Sequence, residues 1–344
     1  MEELGTSRTA VAVIGATGYT GRFVVAELVR RGMTPIAIAR NGAALEAADF
    51  GDGVIRRQAT VDDAEALDRA LRGARAIINA AGPFIDTAEP VVNAAMRAKI
   101  HYVDIAAEQK STAKLFEEYH RPAREAGIAI VPAMAFFGGL SDLMVTALMK
   151  DWDAADSVET LIGFDRWHPT RGTRNTIERK TVGNLVLVGG RLVPAGESPA
   201  EKMWHFAEPI GKQAVVEIPF SETILLSRHV KTGVHHNYIT RVAVNEVLDP
   251  STPPPKAADA MGRSAQNFVL EVVVARGGEQ RRAFTRGRDA YAVTAPLTGE
   301  AVERLVGGKF RSTGVKAPGE VFDAEEQLRS LAPGHATFEV ATSD

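Results

Sequence analysis

The stretch VAVIGATGYTGRFVVAELVRRG, Val11–Gly32, reads as an apolar β-branched strand, a turn with glycines three apart, and then a helix. Phe23, Val24, Leu28 and Val29 recur at helical spacing, and Gly32 supplies the stop. A strand that enters a helix through Gly15, Gly18 and Gly21 fits an anion site. Free amides and the helix dipole attract a diphosphate there, and side chains would hold it away. The spacing is GxxGxxG, one residue longer than the usual dinucleotide fingerprint. A tight turn without a ligand is the competing explanation, and the strand–turn–helix context argues against it.

The next strand, Pro35–Ala39, ends at Arg40 and Asn41, with no acid until Glu46. An NAD site presents Asp or Glu near this place for the ribose 2′-hydroxyl, whereas arginine suits a 2′-phosphate. The expected cofactor is therefore NADP(H) in preference to NAD(H). Asp62 follows the third strand, Val54–Ala59, and reads as a helix N-cap more readily than as an adenine contact. The fourth strand ends Asn79-Ala-Ala81-Gly82-Pro83-Phe84, whose small residues leave room for a cofactor at the strand edge. The fifth ends Tyr102-Val-Asp104-Ile-Ala-Ala-Glu108. These three polar groups are the catalytic candidates, able to orient substrate or move a proton. The alternative is that Asp104 and Glu108 bind loop amides and shape the edge.

Strand–helix alternation continues to about residue 140, with helices expected over Asp62–Leu71, Ala88–Lys99 and Ser111–Ala126. Near-continuous apolar strands indicate a parallel sheet covered on both faces, a Rossmann-like doubly wound α/β unit. From Asp156 to about Arg286 the texture changes to longer alternating strands with hairpin signals at Gly189–Gly190 and Gly277–Gly278. This predicts an inserted α+β unit with a mostly antiparallel sheet. His235–Val247 reads as one of its strands, which places His235 and His236 on opposite faces. Helices are expected again at Thr298–Val306 and Asp323–Leu331.

Composition narrows the function. The 344 residues carry 40 Lys and Arg against 43 Asp and Glu, a net charge of −3, which disfavours a general nucleic-acid surface. With no cysteine, disulfides, thiolate metal sites and a cysteine nucleophile are excluded, and the eight histidines form no zinc motif. The longest apolar run, Ala126–Leu140, is broken by Pro132 and glycines and is too short for a membrane span. The polar, acidic start lacks a signal-peptide pattern, so a cytoplasmic location is expected.

GATGYTG, ARN, NAAGPF, YVDIAAE and FFGGLSDL, in that order, resemble the saccharopine dehydrogenase-like (saccharopine reductase) oxidoreductases. That group also includes the trans-acting enoyl reductases of polyketide lipid assembly. RDAYAVTAPLTGEAVERLVGG and TGVKAPGEVFD resemble its closing segment. The resemblance implies a Rossmann domain of residues 1–138 and 288–344, interrupted by a substrate and dimerisation domain at 139–287. It also implies NADP(H) at Gly15, Thr17, Gly18, Tyr19, Thr20, Gly21 and Arg40 with Asn41, and Ala81, Gly82, Pro83 and Phe84 alongside. One motif departs: the family often reads GFDSxPSDL after the sixth strand. Here Ala135–Leu143 keeps Ser141-Asp142-Leu143 and loses the polar Asp-Ser pair.

Between Arg166 and Lys180, five Lys and Arg accompany one acid, Glu178. A helix start near Gly172-Thr173, with Arg171 and Arg174 beside it, would accept a carboxylate or phosphate, or else is a solvated face with Ile177 and Thr181 inward. Thr173 and Phe137 complete the substrate candidates. The expected chemistry is hydride transfer from NADPH to a C=N or C=C bond held ~3–3.5 Å from the nicotinamide carbon. The apolar Met134–Leu140 would exclude water, and the proton would come from Tyr102, Asp104, Glu108 or solvent. Two other functions fit the same residues: a non-catalytic NADP(H) sensor, or an NAD-dependent amino-acid dehydrogenase of saccharopine type. The expected partners are a small-molecule substrate and a second copy of the chain.

Overall fold

The computed structural model describes residues 9–179, 184–332 and 334–341. The chain begins β1 (Ala10–Ile14), α1 (Tyr19–Arg30), β2 (Thr34–Ala39), α2 (Gly42–Glu46), β3 (Ile55–Gln58) and α3 (Ala64–Ala70). It continues β4 (Ala76–Asn79), α4 (Phe84–Ala98), β5 (His101–Asp104), α5 (Gln109–Glu125) and β6 (Ala129–Val131). A wide turn, Phe136–Leu140, leads to α6 (Ser141–Met149). Then come β7 (Ala155–Phe164), α7 (Arg171–Glu178), β8 (Leu185–Val188), β9 (Arg191–Pro194), β10 (Glu201–His205) and β11 (Lys212–Glu217). Next are α8 (Ser221–His229), β12 (Thr232–Thr240), α9 (Arg241–Leu248), β13 (Asn267–Arg276) and β14 (Glu279–Arg288). The last are α10 (Ala290–Val306), β15 (Gly314–Val315), α11 (Pro318–Val321), α12 (Ala324–Arg329) and β16 (Ala336–Ala341).

Seven strands form a parallel sheet in the order β15-β6-β5-β4-β1-β2-β3. The order reverses beside β1, so the ends of β1 and β4 flank the crevice where doubly wound folds bind ligands. Both faces of the sheet are apolar. Val11 and Val13 of β1 pack in one cluster with Val24 and Leu28 of α1 and Val293 of α10. Ala12 and Ile14 pack in another with Leu67, Val91 and Leu115 of α3, α4 and α5. This strand alternation into two cores explains the unbroken apolar runs.

The second sheet follows the order β10-β11-β12-β7-β13-β14-β16, with β8 and β9 attached to β12. It is mostly antiparallel, but β12 and β7 run parallel at its centre. Its core is continuous with the first: one cluster holds Val131, Leu140, Val158, Ile162, Phe268 and Ala301 together. The chain returns through α10, which Arg31 fastens to α1. The Arg31 guanidinium lies 2.7 Å from Glu27 and 2.6 Å from both Glu300 and Glu303.

Several expectations need correction. The run expected as a strand through Val247 stops at Thr240 and turns into α9. The helix expected at Thr298 begins eight residues earlier, capped by Asp289. Thr298 lies inside it, its hydroxyl donating back to Thr294. Asp63, not Asp62, caps α3. The segment 288–344 divides: β15 extends the parallel sheet beside β6, while β16 pairs with β14 in the second sheet.

Candidate functional site

The glycine turn has the geometry of an anion cradle. Gly15 has φ +77, and a Cβ there would lie 2.7 Å from the Ala80 carbonyl oxygen. A Cβ on Gly21 would overlap the Gly15 carbonyl oxygen. Both positions therefore demand glycine for the turn itself. Gly18 occupies the N-cap of α1 and offers no side-chain cap. The first-turn amides, Tyr19 to Gly21, are left without the partners a Ser or Asp would supply. Thr17 and Thr20 lie half-buried beside them. Tyr19 behaves differently from the expectation. Its hydroxyl donates to Asp289 at 2.7 Å, and burial beside that carboxylate pushes the phenol up.

Arg40 stands exposed at the end of β2 and forms no ion pair among the described residues. Only its backbone carbonyl is engaged, by the Gln58 amide at 3.1 Å. Asn41 is the N-cap of α2, with its side-chain oxygen accepting from Ala44 at 3.0 Å, which leaves it only its amide NH2 for a ligand. These residues fit an NADP(H) molecule: uncapped amides for the diphosphate and an unpaired guanidinium at the neighbouring strand end.

At the ends of β4 and β5 the structure separates the three catalytic candidates. Ala81, Gly82 and Pro83 are half-buried and Phe84 is buried. Tyr102 and Asp104 are 0 % exposed. The Tyr102 hydroxyl donates to Asp104 at 2.9 Å and takes the Asn79 amide at 3.3 Å. Asp104 also accepts the backbone N–H of Ala106 at 3.0 Å and of Ala133 at 2.7 Å. Burial pushes its carboxyl up to about 6 against these bonds. The same burial, with Asp104 alongside, raises the Tyr102 phenol. Asp104 thus ties β5 to the segment after β6, while Tyr102 links it to Asn79 of β4. Glu108 accepts from the amides of Phe84 and Ile85, both at 2.9 Å, and so caps α4. It also accepts from Thr176 of α7 at 3.2 Å.

Helix α7 spans this edge. Arg179 just beyond it pairs with Asp86 at 2.5 Å, and a Cβ on Gly82 would meet the Thr176 hydroxyl at 3.5 Å. At its start, the Tyr291 hydroxyl accepts from Trp167 Nε1 at 2.8 Å and from the Thr170 amide at 3.3 Å. Thr173 Oγ1 lies 2.9 Å from the same hydroxyl. No residue of α7 is fully buried, so it lies as a strap over the cleft. Of the substrate candidates, Arg171 is exposed and forms no ion pair among the described residues. Arg174 is partly engaged: its Nη2 donates to the carbonyls of Thr252 at 2.6 Å and Asp249 at 3.2 Å. Phe137 is half-buried and stacks on Trp167 with ring centroids 5.2 Å apart. Lys180 and Thr181 lie outside the described residues.

Sequence reasoning missed Tyr291 and Asp289. Asp289 caps α10, holds Tyr19, and accepts the Ser264 amide at 2.7 Å. The signal was present as an aspartate directly before an apolar helical run, Ala290–Leu297. Among the described residues no group of three His, Asp or Glu side chains is placed to hold a metal ion.

Residues 11–131 match the family model described as the saccharopine dehydrogenase NADP binding domain. This part of the chain is similar to that domain. The likeness extends to a probable mitochondrial saccharopine dehydrogenase-like oxidoreductase of Arabidopsis thaliana, 26% identical over 192 residues. A lipid droplet localized protein of Caenorhabditis elegans is 31% identical over 191 residues. Each match takes in 50% of this chain but only 42% and 44% of those proteins. In three dimensions the chain resembles apo saccharopine dehydrogenase (L-Glu forming) from Saccharomyces cerevisiae, with a TM-score of 0.67 and 12% identity. That match covers 97% of this chain and 100% of the yeast one, so the fold is shared across both sheets. No helix among the described residues is long and apolar enough to cross a membrane.

Proposed function

We propose that the chain is an NADPH-dependent reductase that adds hydride to a polarised C=N or C=C bond of a small organic substrate. The observation that carries this reading is the pairing of an uncapped α1 start behind the glycine turn with an unpaired Arg40 at the end of β2. Bound NADPH supplies the hydride, and a proton completes the reduced bond. The amides from Tyr19 to Gly21 hold the diphosphate. Arg40 grips the 2′-phosphate through two parallel N–H donors, which favours NADP(H) over NAD(H). Ala81 to Phe84 leave the β4 edge open to the nicotinamide. Phe137 and Trp167 keep water from the acceptor carbon.

In this reading Glu108 is a positioning residue. It fixes the Phe84 turn through two amides and draws Thr176 toward it. With Tyr102 and Asp104 buried and Glu108 fully engaged, solvent delivers the proton. A second copy of the chain joins through the nine-stranded sheet, whose path ends in β10 and β16. Light scattering that returned the mass of a single chain would contradict this pairing.

Absorbance at 340 nm tests the reaction, with NADPH and a panel of imines, enones and ketones. The proposal expects turnover with at least one imine or enone and little with simple ketones. Tight NADPH binding without turnover of any acceptor would instead favour a sensor.

A further inference from the structure

A cavity of about 330 Å³ lies between the segment after β7, the proline-rich loop that follows α9, and the side chain of Tyr291. It is at the small end of the ~300–1,000 Å³ range of small-molecule sites. Arg166, His168 and Lys256 line it, and no Asp or Glu does. His168 and Lys256 have no ion-pair partner among the described residues. Arg166 has one, Asp165 at 3.5 Å, and both Asp165 oxygens already accept from Asn267, at 2.9 and 2.8 Å. Pro253 and Pro254 add an apolar wall.

The walls are fixed without a ligand. Arg174 holds the loop by the carbonyls of Asp249 and Thr252. The Gln266 side chain bridges the Arg166 carbonyl at 2.8 Å and the Ala290 amide at 2.9 Å. Asp289, a buried acid beside the lining residues Ser264 and Tyr291, accepts from the Tyr19 hydroxyl and from the amides of Ser264, Tyr291 and Ala292. The Tyr291 ring meets Tyr19 edge-on with centroids 5.7 Å apart, which sets the cavity beside the glycine turn.

We propose that this cavity binds the carboxylate end of a compact, apolar-bodied organic acid, and that Arg166 and Lys256 select the anion. Arg166 and Lys256 line one cavity whose lining holds no carboxylate, which favours an oxyanion, and the proline wall favours an alkyl body over a hydrated one. Its role as the substrate's anchor rests on the reductase reading; the binding itself does not need NADPH. Occupancy would also act on α7, because Trp167, between Arg166 and His168, and Thr170, two residues past His168, share the Tyr291 hydroxyl.

The test is a titration of the full chain with hexanoate, hexanamide and inorganic phosphate, each without and with saturating NADPH. Hexanoate is expected to bind in both conditions, and hexanamide roughly tenfold or more weakly than hexanoate. The Arg166→Gln/Lys256→Gln double variant changes exposed side chains only. It should weaken hexanoate by roughly tenfold while leaving the melting temperature and NADPH affinity unchanged. Equal binding of hexanamide, or no hexanoate binding at ~20 mM, overturns the proposal. So does preference for inorganic phosphate, or a double variant that loses NADPH in parallel, which would give these cations to the dinucleotide. Absence of NADPH binding with hexanoate retained would remove the reductase reading and leave the acid site standing.

Discussion

In the proposed NADP(H) site a single side chain, Arg40, would carry the cofactor preference. Arg40→Asp should weaken NADPH by roughly tenfold to a hundredfold, as expected for losing a charge-assisted bidentate pair. Calorimetric titration with NADPH and NADH reads this directly, and unchanged NADPH affinity would place the 2′-phosphate elsewhere. Glu222 bears on stability. It is 0 % exposed, its Oε1 accepts from Asn237 at 2.5 Å, and its Oε2 has no partner. Burial pushes its carboxyl up to about 8 from 4.5, with Asp142 adding to the rise. The folded state therefore keeps a proton that the unfolded chain releases. This contribution is whole below pH 4.5 and is lost as pH rises to about 8. Glu222→Gln removes that slope. The variant should match the parent near pH 4.5 and exceed it by a few kcal/mol, on the order of magnitude the linkage relation gives, at pH 8. Urea unfolding of both proteins across that range checks it, and a constant difference would contradict it. At this scale the sequence showed which groups can do chemistry but not their surroundings. Tyr102 and Asp104 have the right types at a strand end, and only packing reveals that they bind one another and that Asp104 also holds the segment after β6.

The decisive element is α7. Its first turn hangs on one hydroxyl, that of Tyr291, which two N–H groups and Thr173 share. Tyr291→Phe strands the Trp167 and Thr170 donors, at a cost of about 1–3 kcal/mol for a buried donor left unpaired. Hydrogen exchange should quicken across 167–178 and stay unchanged in β1 and β4. Uniform exchange across the chain would contradict a strap held at that point. The alternating strands of the first sheet were legible because apolar runs, glycine stops and caps agreed with one another. Arg241–Leu248 was not, because Val242, Val244 and Val247 in succession suit a strand as well as a helix. The start of α10 was missed because Thr-Gly-Glu at 298–300 imitates a cap inside a helix that tolerates Gly299. A Cβ on Gly299 would come within 2.9 Å of Glu27, so close helix contact explains the glycine.

For the whole molecule, the return of the chain is fastened by Arg31. Its side chain is 8% exposed and serves Glu27, Glu300 and Glu303 together. Arg31→Met should destabilise by about 1–3 kcal/mol, because Glu27 and Glu300 each lose one of two cations and keep Arg30 and Arg304 respectively. Denaturant unfolding measures this, and a loss under about 1 kcal/mol would mean that the pairs contribute no more than surface ones. The presence of a second, mixed sheet beside the parallel one was readable from the longer alternating strands and hairpin signals after Asp156. The pairing of β16 with β14 was not, because a six-residue alternation names no partner sheet. The most direct test of the account is calorimetric titration of the intact chain with NADPH and with NADH. NADPH should bind in the micromolar range and at least roughly tenfold more tightly than NADH. Binding of neither nucleotide at ~1 mM would contradict the dinucleotide cradle on which the function rests.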